Sequence, residues 1–274
     1  MIVFIGGGNM ATALIGGMIA RGRAATGFHA IDPMPEQRER LCARFPGAGA
    51  SAAPDAALIA RAELIVLAVK PQQMRAAATA LAALLRSPGP VVLTIAAGVR
   101  LADLARWLGG YANLVRAMPN TPALIGKGIS GIHAAPGVAA GARALAAGVL
   151  EAVGDVLWVD AEAMLDAVTG ISGSGPAYVF YFMEALEAAA IEQGFAPAEA
   201  RRLAYATFAG AIALAQASTE PPAVLRTQVT SKGGTTECAL SVLDSAAVKA
   251  SIVRAAKAAA ARAQEMGDAF GGDA

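Results

Sequence analysis

Residues 2–11, Ile-Val-Phe-Ile-Gly-Gly-Gly-Asn-Met-Ala, decide the fold of this 274-residue chain. Four apolar residues typical of a buried strand run into three glycines and then into a helical pattern. The glycines fit the spacing G-x-G-x-x-A, in which Gly6 allows a tight turn and Gly8 lets a pyrophosphate approach a helix N-terminus. A merely structural glycine turn is the alternative, but the strand before it and the helix after it favour dinucleotide binding. The residues predicted to bind the dinucleotide here are Gly6, Gly8, Asn9, Met10 and Ala11.

Short apolar runs alternate with helical patterns through the first 160 residues. The predicted strands are Ile2–Ile5, Phe28–Ile31, Leu64–Val69, Val91–Ile95, Leu114–Met118, Ile129–His133 and Val156–Val159. The predicted helices are Asn9–Arg21, Pro35–Phe45, Gln72–Leu85 and Leu101–Leu108. Nearly all-apolar strands that alternate with helices indicate a parallel sheet covered on both faces. We therefore predict an α/β fold with a Rossmann-type, doubly wound sheet over residues 1–160.

The strand signal ends after Asp160, and residues 161–274 are predicted to form an all-α domain. Its predicted helices are Glu162–Thr169, Ala177–Gln193, Pro197–Ala217 and Ala246–Met266. The helix Ala177–Gln193 is apolar around most of its circumference, so it must be buried on all sides. Because the remaining helices offer little to bury it, we expect a second subunit to cover it, in a homodimer or a larger homo-oligomer.

Composition excludes several classes of partner. Net charge is +1 and charged residues make up 16%, so there is no basic surplus for nucleic acid. Apolar runs are far shorter than the ~20 residues of a membrane-spanning helix, and the first residues lack the positive segment of a signal peptide. Cys42 and Cys238 fit no metal or redox spacing. They are expected to be free thiols in a reducing cytoplasm, and no metal site is expected.

Small or polar residues follow three further predicted strands, where an open sheet binds its ligands. The carboxylate of Asp32 can bind ribose hydroxyls and repels a 2′-phosphate, although it can equally start a turn before Pro33. Because no arginine directly follows Asp32, NADH is expected to serve at least as well as NADPH. Lys70 is either a cofactor contact or a solvated lysine. The cofactor residues predicted here are Asp32, Ala68, Val69, Lys70, Pro71, Ala96 and Ala97.

The segment Val229–Glu237, Val-Thr-Ser-Lys-Gly-Gly-Thr-Thr-Glu, combines four hydroxyl side chains with a Gly-Gly pair. Adjacent glycines expose consecutive backbone N–H groups, and a helix that starts here adds the free N–H groups of its first turn. Such a segment can bind a small carboxylate and leave a hydroxyl for chemistry. The alternative is a capped turn between two helices.

A second glycine-rich segment, Ser172-Gly173-Ser174-Gly175-Pro176, precedes an apolar helix. Ser174 can cap that helix with Pro176 in its first turn, and the glycines allow a tight corner between helices. A structural and a catalytic role are both open for this segment. The two histidines, His29 and His133, lie outside these motifs and are expected to be structural.

In combination, these segments resemble the Δ1-pyrroline-5-carboxylate reductases, the enzymes of the last step of proline synthesis. The matching stretches occur in the family's order and spacing over nearly the whole chain. They are Gly6–Ala11, Ala68–Gln72, Ala96–Gly98, Met118–Pro122, Ile171–Tyr178 and Val229–Thr236. The resemblance implies a Rossmann domain followed by a helical domain that dimerises by interleaving with its partner.

The resemblance also assigns roles to individual residues. Thr236 matches the hydroxyl that binds the substrate's ring nitrogen. Glu162 matches an acidic residue near the substrate, and Asn120 lies in a loop beside the nicotinamide. The residues that match the binding site of the substrate carboxylate are Ser231, Gly234 and Thr235. Two positions depart from the family's pattern: Asp32-Pro33 replaces Asn-Arg, and Gln228 stands where Asn is expected.

The expected reaction is the reduction of 1-pyrroline-5-carboxylate to L-proline by hydride transfer from NADH or NADPH. A related reductase of other cyclic imines or of 3-hydroxy acids is one alternative. The 3-hydroxy-acid enzymes rely on a lysine base, for which Lys232 is the candidate here. A non-catalytic nucleotide-binding or regulatory protein is the other alternative, and the intact Gly-Gly-Thr-Thr stretch argues against it.

Overall fold

The computed structural model describes residues 1–272 and contains eight strands. The strands are β1 Ile2–Ile5, β2 Phe28–Ile31, β3 Gly49–Ser51, β4 Leu64–Leu67, β5 Val91–Thr94, β6 Leu114–Met118, β7 Gly128–Ala134 and β8 Gly154–Trp158. The first seven helices are α1 Asn9–Ala20, α2 Pro35–Arg44, α3 Ala56–Ala60, α4 Pro71–Ala82, α5 Leu101–Trp107, α6 Ala140–Glu151 and α7 Met164–Val168. The others are α8 Gly175–Glu192, α9 Pro197–Ala217, α10 Pro222–Gln228, α11 Thr235–Ser245 and α12 Val248–Gly272.

The strands form one sheet in the order β3-β2-β1-β4-β5-β6-β7-β8. The first six strands run parallel, with β1 between β2 and β4. The chain winds outward from β1 in one direction and then in the other, so the predicted α/β fold with a Rossmann-type, doubly wound sheet is confirmed. The carboxyl ends of these parallel strands lie along one edge, where open sheets bind their ligands.

One feature of the sheet differs from the predicted parallel arrangement. Strand β7 runs antiparallel to β6, with Val115 opposite Ala134 and Met118 opposite Gly131. The connection between them, residues 119–127, contains only the 3-10 turn Thr121–Ile125. A parallel pair needs a crossover of a dozen or more residues, usually a helix, so this short link permits only the antiparallel pairing.

Several short elements lack a sequence signal strong enough to predict them. Strand β3 is three residues long and begins at Gly49, a residue that is depleted in strands. The longer helix α6 consists mostly of alanine, glycine and leucine, and two of the residues that it buries, Ala146 and Ala147, are small. None of the helices in residues 1–272 combines the length and the apolar character that a membrane span needs.

Alternate residues of the strands supply two separate apolar layers. Ile2 and Phe4 of β1 point into one layer with residues of α1 and α6. Val3 and Ile5 point into the other layer with residues of α4 and α5. This alternation follows from the two-residue period of a strand. Because both faces are covered, all four residues of β1 are buried, which explains the unbroken apolar run in the sequence.

The chain divides into two compact units, Met1–Ser174 with the chain from Ala258 onward, and Gly175–Lys257. The sheet, α7 and the end of α12 belong to the first unit, while α8, α9, α10 and α11 belong to the second. The domain boundary at residue 160 remains a prediction.

The second unit exposes many large apolar side chains. The hydrophobic residues that are buried in this unit are all alanines: Ala190, Ala200 and Ala204. Phe180 is 58% exposed and Tyr181 is 71% exposed. A single chain therefore leaves apolar surface of the kind that marks protein–protein contacts.

We predict that the protein in solution is at least a dimer, joined through this second unit, because burial of Phe180 and Tyr181 removes apolar area from water. Light scattering should give at least twice the mass of one chain. Phe180→Asp should shift the distribution toward single chains. Leu157→Asp is the control, because Leu157 is 52% exposed but lies on β8 of the first unit. A monodisperse monomer of the natural sequence at micromolar concentration would contradict the prediction.

Candidate active site

Two of the predicted cofactor segments meet at the carboxyl ends of β1 and β4. The N–H of Gly6 donates to the carbonyl of Ile31 at 2.8 Å, and Gly6 has φ +102°, in the region that favours glycine. A Cβ at Gly6 would lie 2.8 Å from the carbonyl oxygen of Ala68 and 3.2 Å from Cγ1 of Val69. Glycine is therefore required here for both its conformation and its size.

The glycine loop ends at an open helix N-terminus. Gly8 is the N-cap of α1 with extended backbone, and the first bond back to it comes from Thr12 N–H, at 3.0 Å. The N–H groups of Asn9, Met10 and Ala11 thus have no partner within the helix. A Cβ at Gly8 would meet no described atom within 4 Å. Free N–H groups facing open space form a site for a phosphate group.

Asp32 continues from β2 at the same edge of the sheet. Its Oδ2 accepts the N–H of Gly7 at 2.8 Å, and its Oδ1 accepts the N–H of Met34 at 2.9 Å. The carboxylate therefore starts a turn and also contacts the glycine loop. Its predicted role in starting a turn is thus compatible with its predicted role in binding ribose hydroxyls. Each oxygen keeps further acceptor capacity for a hydroxyl.

A cation also lies beside this loop. Nη1 of Arg38 donates to the carbonyls of Asp32 at 2.7 Å and of Pro33 at 2.9 Å. Arg38 is thereby anchored to the backbone of the β2–α2 connection. A 2′-phosphate would meet both this guanidinium and the Asp32 carboxylate, so the balance of the two charges decides the cofactor preference.

The remaining cofactor loops follow β4 and β5. Lys70 is exposed and precedes α4, whose first residue is Pro71. Ala96 and Ala97 follow β5 and lead to Gly98, which has φ +73°. A Cβ at Gly98 would lie 3.1 Å from Cβ of Met266, so the end of α12 packs directly against this turn. The exposure of Lys70 leaves both of its alternatives open.

Asn120 lies after β6 and is buried. Its Nδ2 donates to the carbonyl of Ser172 at 3.2 Å, and its Oδ1 accepts the N–H of Ile129 at 3.0 Å. Both ends of the amide are engaged within the protein. Contact of this side chain with a cofactor stays a prediction.

Sequence reasoning missed the buried Arg116 of β6. Its Nη1 lies 2.9 Å from Oε1 of Glu162 and its Nη2 lies 3.1 Å from Oδ1 of Asp166. Oε1 of Glu162 also accepts the N–H of Leu101, the first residue of α5, at 2.8 Å. An arginine inside an apolar strand and two acids four residues apart were the available signals. Glu162 acts here as a link between elements, and its substrate contact stays a prediction.

These charges line a cavity of about 510 Å³ in the first unit. Arg100 and Gln264 also contribute to its wall. Arg100 is itself paired, at 2.7 Å from Oδ1 of Asp268. Each arginine of the wall thus has a carboxylate partner.

In the second unit, the segment Val229–Glu237 does start a helix. Gly234 is the N-cap of α11 and Gly233 has φ +71°. Two N–H groups are used locally: Gly233 donates to Oε2 of Glu237 at 2.6 Å, and Gly234 donates to the carbonyl of Ser231 at 3.0 Å. The turn itself therefore uses the Gly234 N–H, and a contact of Gly234 with the substrate stays a prediction.

The free donors begin one residue later. The first intrahelical bond of α11 comes from Cys238 N–H to the Gly234 carbonyl, at 3.2 Å. The N–H groups of Thr235, Thr236 and Glu237 thus have no partner within the helix. Thr236 is partly buried and Thr235 is exposed. Ser231 supports the turn, because its Oγ packs where a Cβ of Gly234 would lie.

The segment Ser172–Pro176 spans the end of a π turn and the start of α8. A π turn, Thr169–Gly173, follows α7 directly and leads into α8. Ser174 has helical dihedral angles, φ −86° and ψ −20°, and its N–H donates to the Thr169 carbonyl at 2.8 Å. The predicted N-cap at Ser174 is therefore wrong, since an N-cap needs extended backbone.

The two histidines have structural partners. Nδ1 of His133 donates to the carbonyl of Val159 at 3.0 Å, and Nε2 of His29 lies 3.0 Å from Oγ of Ser51. Burial lowers the pKa of His29, with smaller contributions from Asp55 and Arg61 that oppose each other. Burial thus disfavours the charged form of His29 beside β3.

The phosphate-binding loop, the acidic residue after β2 and the doubly wound sheet define a dinucleotide-dependent oxidoreductase with a helical second part. The family profile described as "Pyrroline-5-carboxylate reductase dimerisation" matches residues 162–266. The profile described as "NADP oxidoreductase coenzyme F420-dependent" matches residues 1–98.

Known proteins resemble the chain over nearly its whole length. A pyrroline-5-carboxylate reductase from Pseudomonas aeruginosa is 43% identical over 270 residues, covering 98% of each chain. One from Vibrio alginolyticus is 40% identical, with the same coverage. The solved structure of one from Coxiella burnetii superposes with a TM-score of 0.90, at 35% identity and 97% coverage of each chain. The chain belongs to the pyrroline-5-carboxylate reductase family, and the predicted family is confirmed.

Proposed function

We propose that the protein reduces 1-pyrroline-5-carboxylate to L-proline with NAD(P)H, and that α11 binds the substrate. The observation that carries this proposal is the helix N-terminus at Thr235–Glu237, where three N–H groups lack helix partners beside two threonine hydroxyls. It occurs in a chain 43% identical to a named pyrroline-5-carboxylate reductase. The substrate is a small cyclic imine with one carboxylate, which matches an anion site with an adjacent hydroxyl.

The described residues fit a dinucleotide. The N–H groups of Asn9, Met10 and Ala11 have no partner within α1, the space beside Gly8 is open, and the Asp32 carboxylate can accept from ribose hydroxyls. The nicotinamide, when bound, supplies hydride to the imine carbon. The protein's part is to hold the pyrophosphate at α1 and to leave a small-residue surface at Ala96 and Ala97 for the nicotinamide half.

At the substrate, the chain supplies position and hydrogen bonds. The N–H groups of Thr235 and Thr236 would bind the carboxylate, and the Thr236 hydroxyl would donate to the ring nitrogen. Two-point binding orients the imine carbon, which is a positioning effect. His29 and His133 are hydrogen-bonded to Ser51 and Val159, so neither is assigned as a general acid. An imine that enters protonated needs only a hydroxyl to solvate its nitrogen.

The other candidate activities have less support. Oxidation of a 3-hydroxy acid would need Lys232 as the base that accepts the hydroxyl proton, but Lys232 is exposed on the turn before α11. Assembly as a homodimer through the helical part and a cytoplasmic location are also proposed. They are supported by the exposed apolar residues of the second unit and by the free thiols of Cys42 and Cys238.

We predict that the purified protein oxidises NADH or NADPH when pyrroline-5-carboxylate is added, and that proline accumulates in equal amount. Loss of absorbance at the reduced-nicotinamide band measures the rate, and chromatography measures the proline. A 3-hydroxy acid with the oxidised cofactor is the control substrate and should give no turnover. Folded protein without turnover of pyrroline-5-carboxylate with either cofactor would refute the proposed function.

We predict that kcat/KM with NADH is at least equal to that with NADPH. Repulsion between the Asp32 carboxylate and a 2′-phosphate should cost on the order of 1–2 kcal/mol, roughly tenfold in rate. Asp32→Asn keeps the acceptor for the Gly7 N–H but removes the charge, so it should raise the relative use of NADPH. Asp55→Asn is the control, because Asp55 accepts the N–H of Leu58 at 2.9 Å at the start of α3. A natural protein that clearly prefers NADPH would show that Arg38 outweighs Asp32.

We predict that Thr236→Val lowers kcat far more than it weakens cofactor binding. Valine keeps the shape but loses the hydroxyl, and one positioned donor is worth about 10²–10³ in rate; we expect the low end because water can substitute. Thr235→Val is the control, because its expected contribution is a backbone N–H that valine retains. Kinetics and melting temperatures of both variants give the answer. If Thr236→Val lowers the melting temperature but leaves kcat unchanged, the hydroxyl has no part in the reaction.

A further inference from the structure

The carbonyl of Ser172, just before α8, lacks the backbone N–H partner that it would have in a regular α-helix. In an α-helix this carbonyl would accept the N–H four residues ahead, but that residue is Pro176, which has none. The π turn Thr169–Gly173 at this point changes the hydrogen-bond register, as the bond from Ser174 N–H to the Thr169 carbonyl shows. Ser172 is partly buried, and a carbonyl that is shielded from water is stabilised by a donor from elsewhere in the protein.

Asn120 is that donor. Its Nδ2 lies 3.2 Å from the Ser172 carbonyl oxygen, across 52 residues of sequence. Asn120 is only 9% exposed, and its Oδ1 is held by the Ile129 N–H at the start of β7. The amide is thus fixed at both ends and joins the end of β6 to the π turn.

The π turn also packs closely on the end of β6. A Cβ added at Gly173 would lie 2.7 Å from Cε of Met118, the last residue of that strand. Residues 118–121 stand at the edge of the sheet that carries the glycine loop and the turn Ala96–Gly98. A shift of the π turn would therefore change the packing of the Met118 side chain and the hydrogen bond of Asn120 at this edge.

We propose that Asn120 is a positioning residue: by hydrogen-bonding the carbonyl that Pro176 leaves without an α-helical partner, it sets the π turn against the cofactor edge of the sheet. In this role Asn120 acts through the turn, and the predicted direct contact with the dinucleotide is the alternative that the tests below distinguish. The inference rests on the proposed function for its kinetic effect. The hydrogen bond thereby joins the Met-Pro-Asn-Thr-Pro and Ser-Gly-Ser-Gly-Pro stretches into one structural unit, although they lie about fifty residues apart.

The first test compares Asn120→Ala with the control Asn113→Ala. Asn113 makes a similar bond, from Nδ2 to the Gly89 carbonyl at 3.1 Å, in the loop before β6. Asn120→Ala should lower kcat about tenfold or more, since the Ser172 carbonyl loses its partner and the turn shifts. The dissociation constant for NADH, measured by fluorescence, should stay within about twofold, because no ligand contact is lost. Asn113→Ala should change neither quantity.

The second test is rescue by a backbone N–H. Pro176→Ala restores an N–H that can donate to the Ser172 carbonyl, so the double variant Asn120→Ala, Pro176→Ala should recover most of the lost kcat. Pro176→Ala alone should have a small effect. Absence of rescue, or a rise in the NADH dissociation constant that matches the loss in kcat/KM, would overturn the proposal in favour of a direct cofactor contact.

Melting temperatures separate this proposal from the proposed reaction. Asn120→Ala should lower the melting temperature by about 2–4 °C, and Pro176→Ala should restore it in the double variant. If the natural protein does not reduce pyrroline-5-carboxylate, the proposed function fails while this thermal cycle still shows whether the hydrogen bond is coupled to Pro176. Thermal coupling without any effect on kcat, in an active protein, would make Asn120 purely structural and overturn its positioning role.

Discussion

The buried guanidinium of Arg116 is the interaction on which the arrangement of the first unit depends. Its side chain is 4% exposed, in the middle of β6, and it pairs with Glu162 and Asp166 on the segment that follows the sheet. Removal of one partner from such a buried group costs about 3–5 kcal/mol, because a charge is left uncompensated. Since Glu162 also holds the first N–H of α5, one charge cluster orients three elements.

A second constraint is the close approach of two backbones at the centre of the sheet. The carbonyl of Ala68 leaves no room for a side chain at Gly6, so the loops after β1 and β4 meet where the winding direction reverses. That reversal opens the crevice in which open α/β sheets bind ligands. The helix N-terminus of α1 and the Asp32 carboxylate border the same crevice, which gives it one attractive and one repulsive site for phosphate charge.

The proposed substrate site depends on which backbone N–H groups the turn before α11 leaves without a partner. The turn before α11 consumes the N–H groups of Gly233 and Gly234 through Glu237 and Ser231. These bonds rigidify the turn and leave the next three N–H groups pointing the same way. A rigid set of donors binds a carboxylate at low entropic cost, since little remains to be ordered when the ligand arrives.

The sequence by itself determined the local features: the glycine loop between β1 and α1 and the bounds of α9 at Pro197–Ala217. These depend on neighbours a few residues away, through strand and helix periodicity and the chemistry of glycine and proline. Only the tertiary structure decided the reversal of β7 and the bonds of Arg116 and Asn120, which join residues 46 to 52 positions apart. Side chains of this kind are chosen by what the fold brings beside them, and no spacing along the chain encodes that partner.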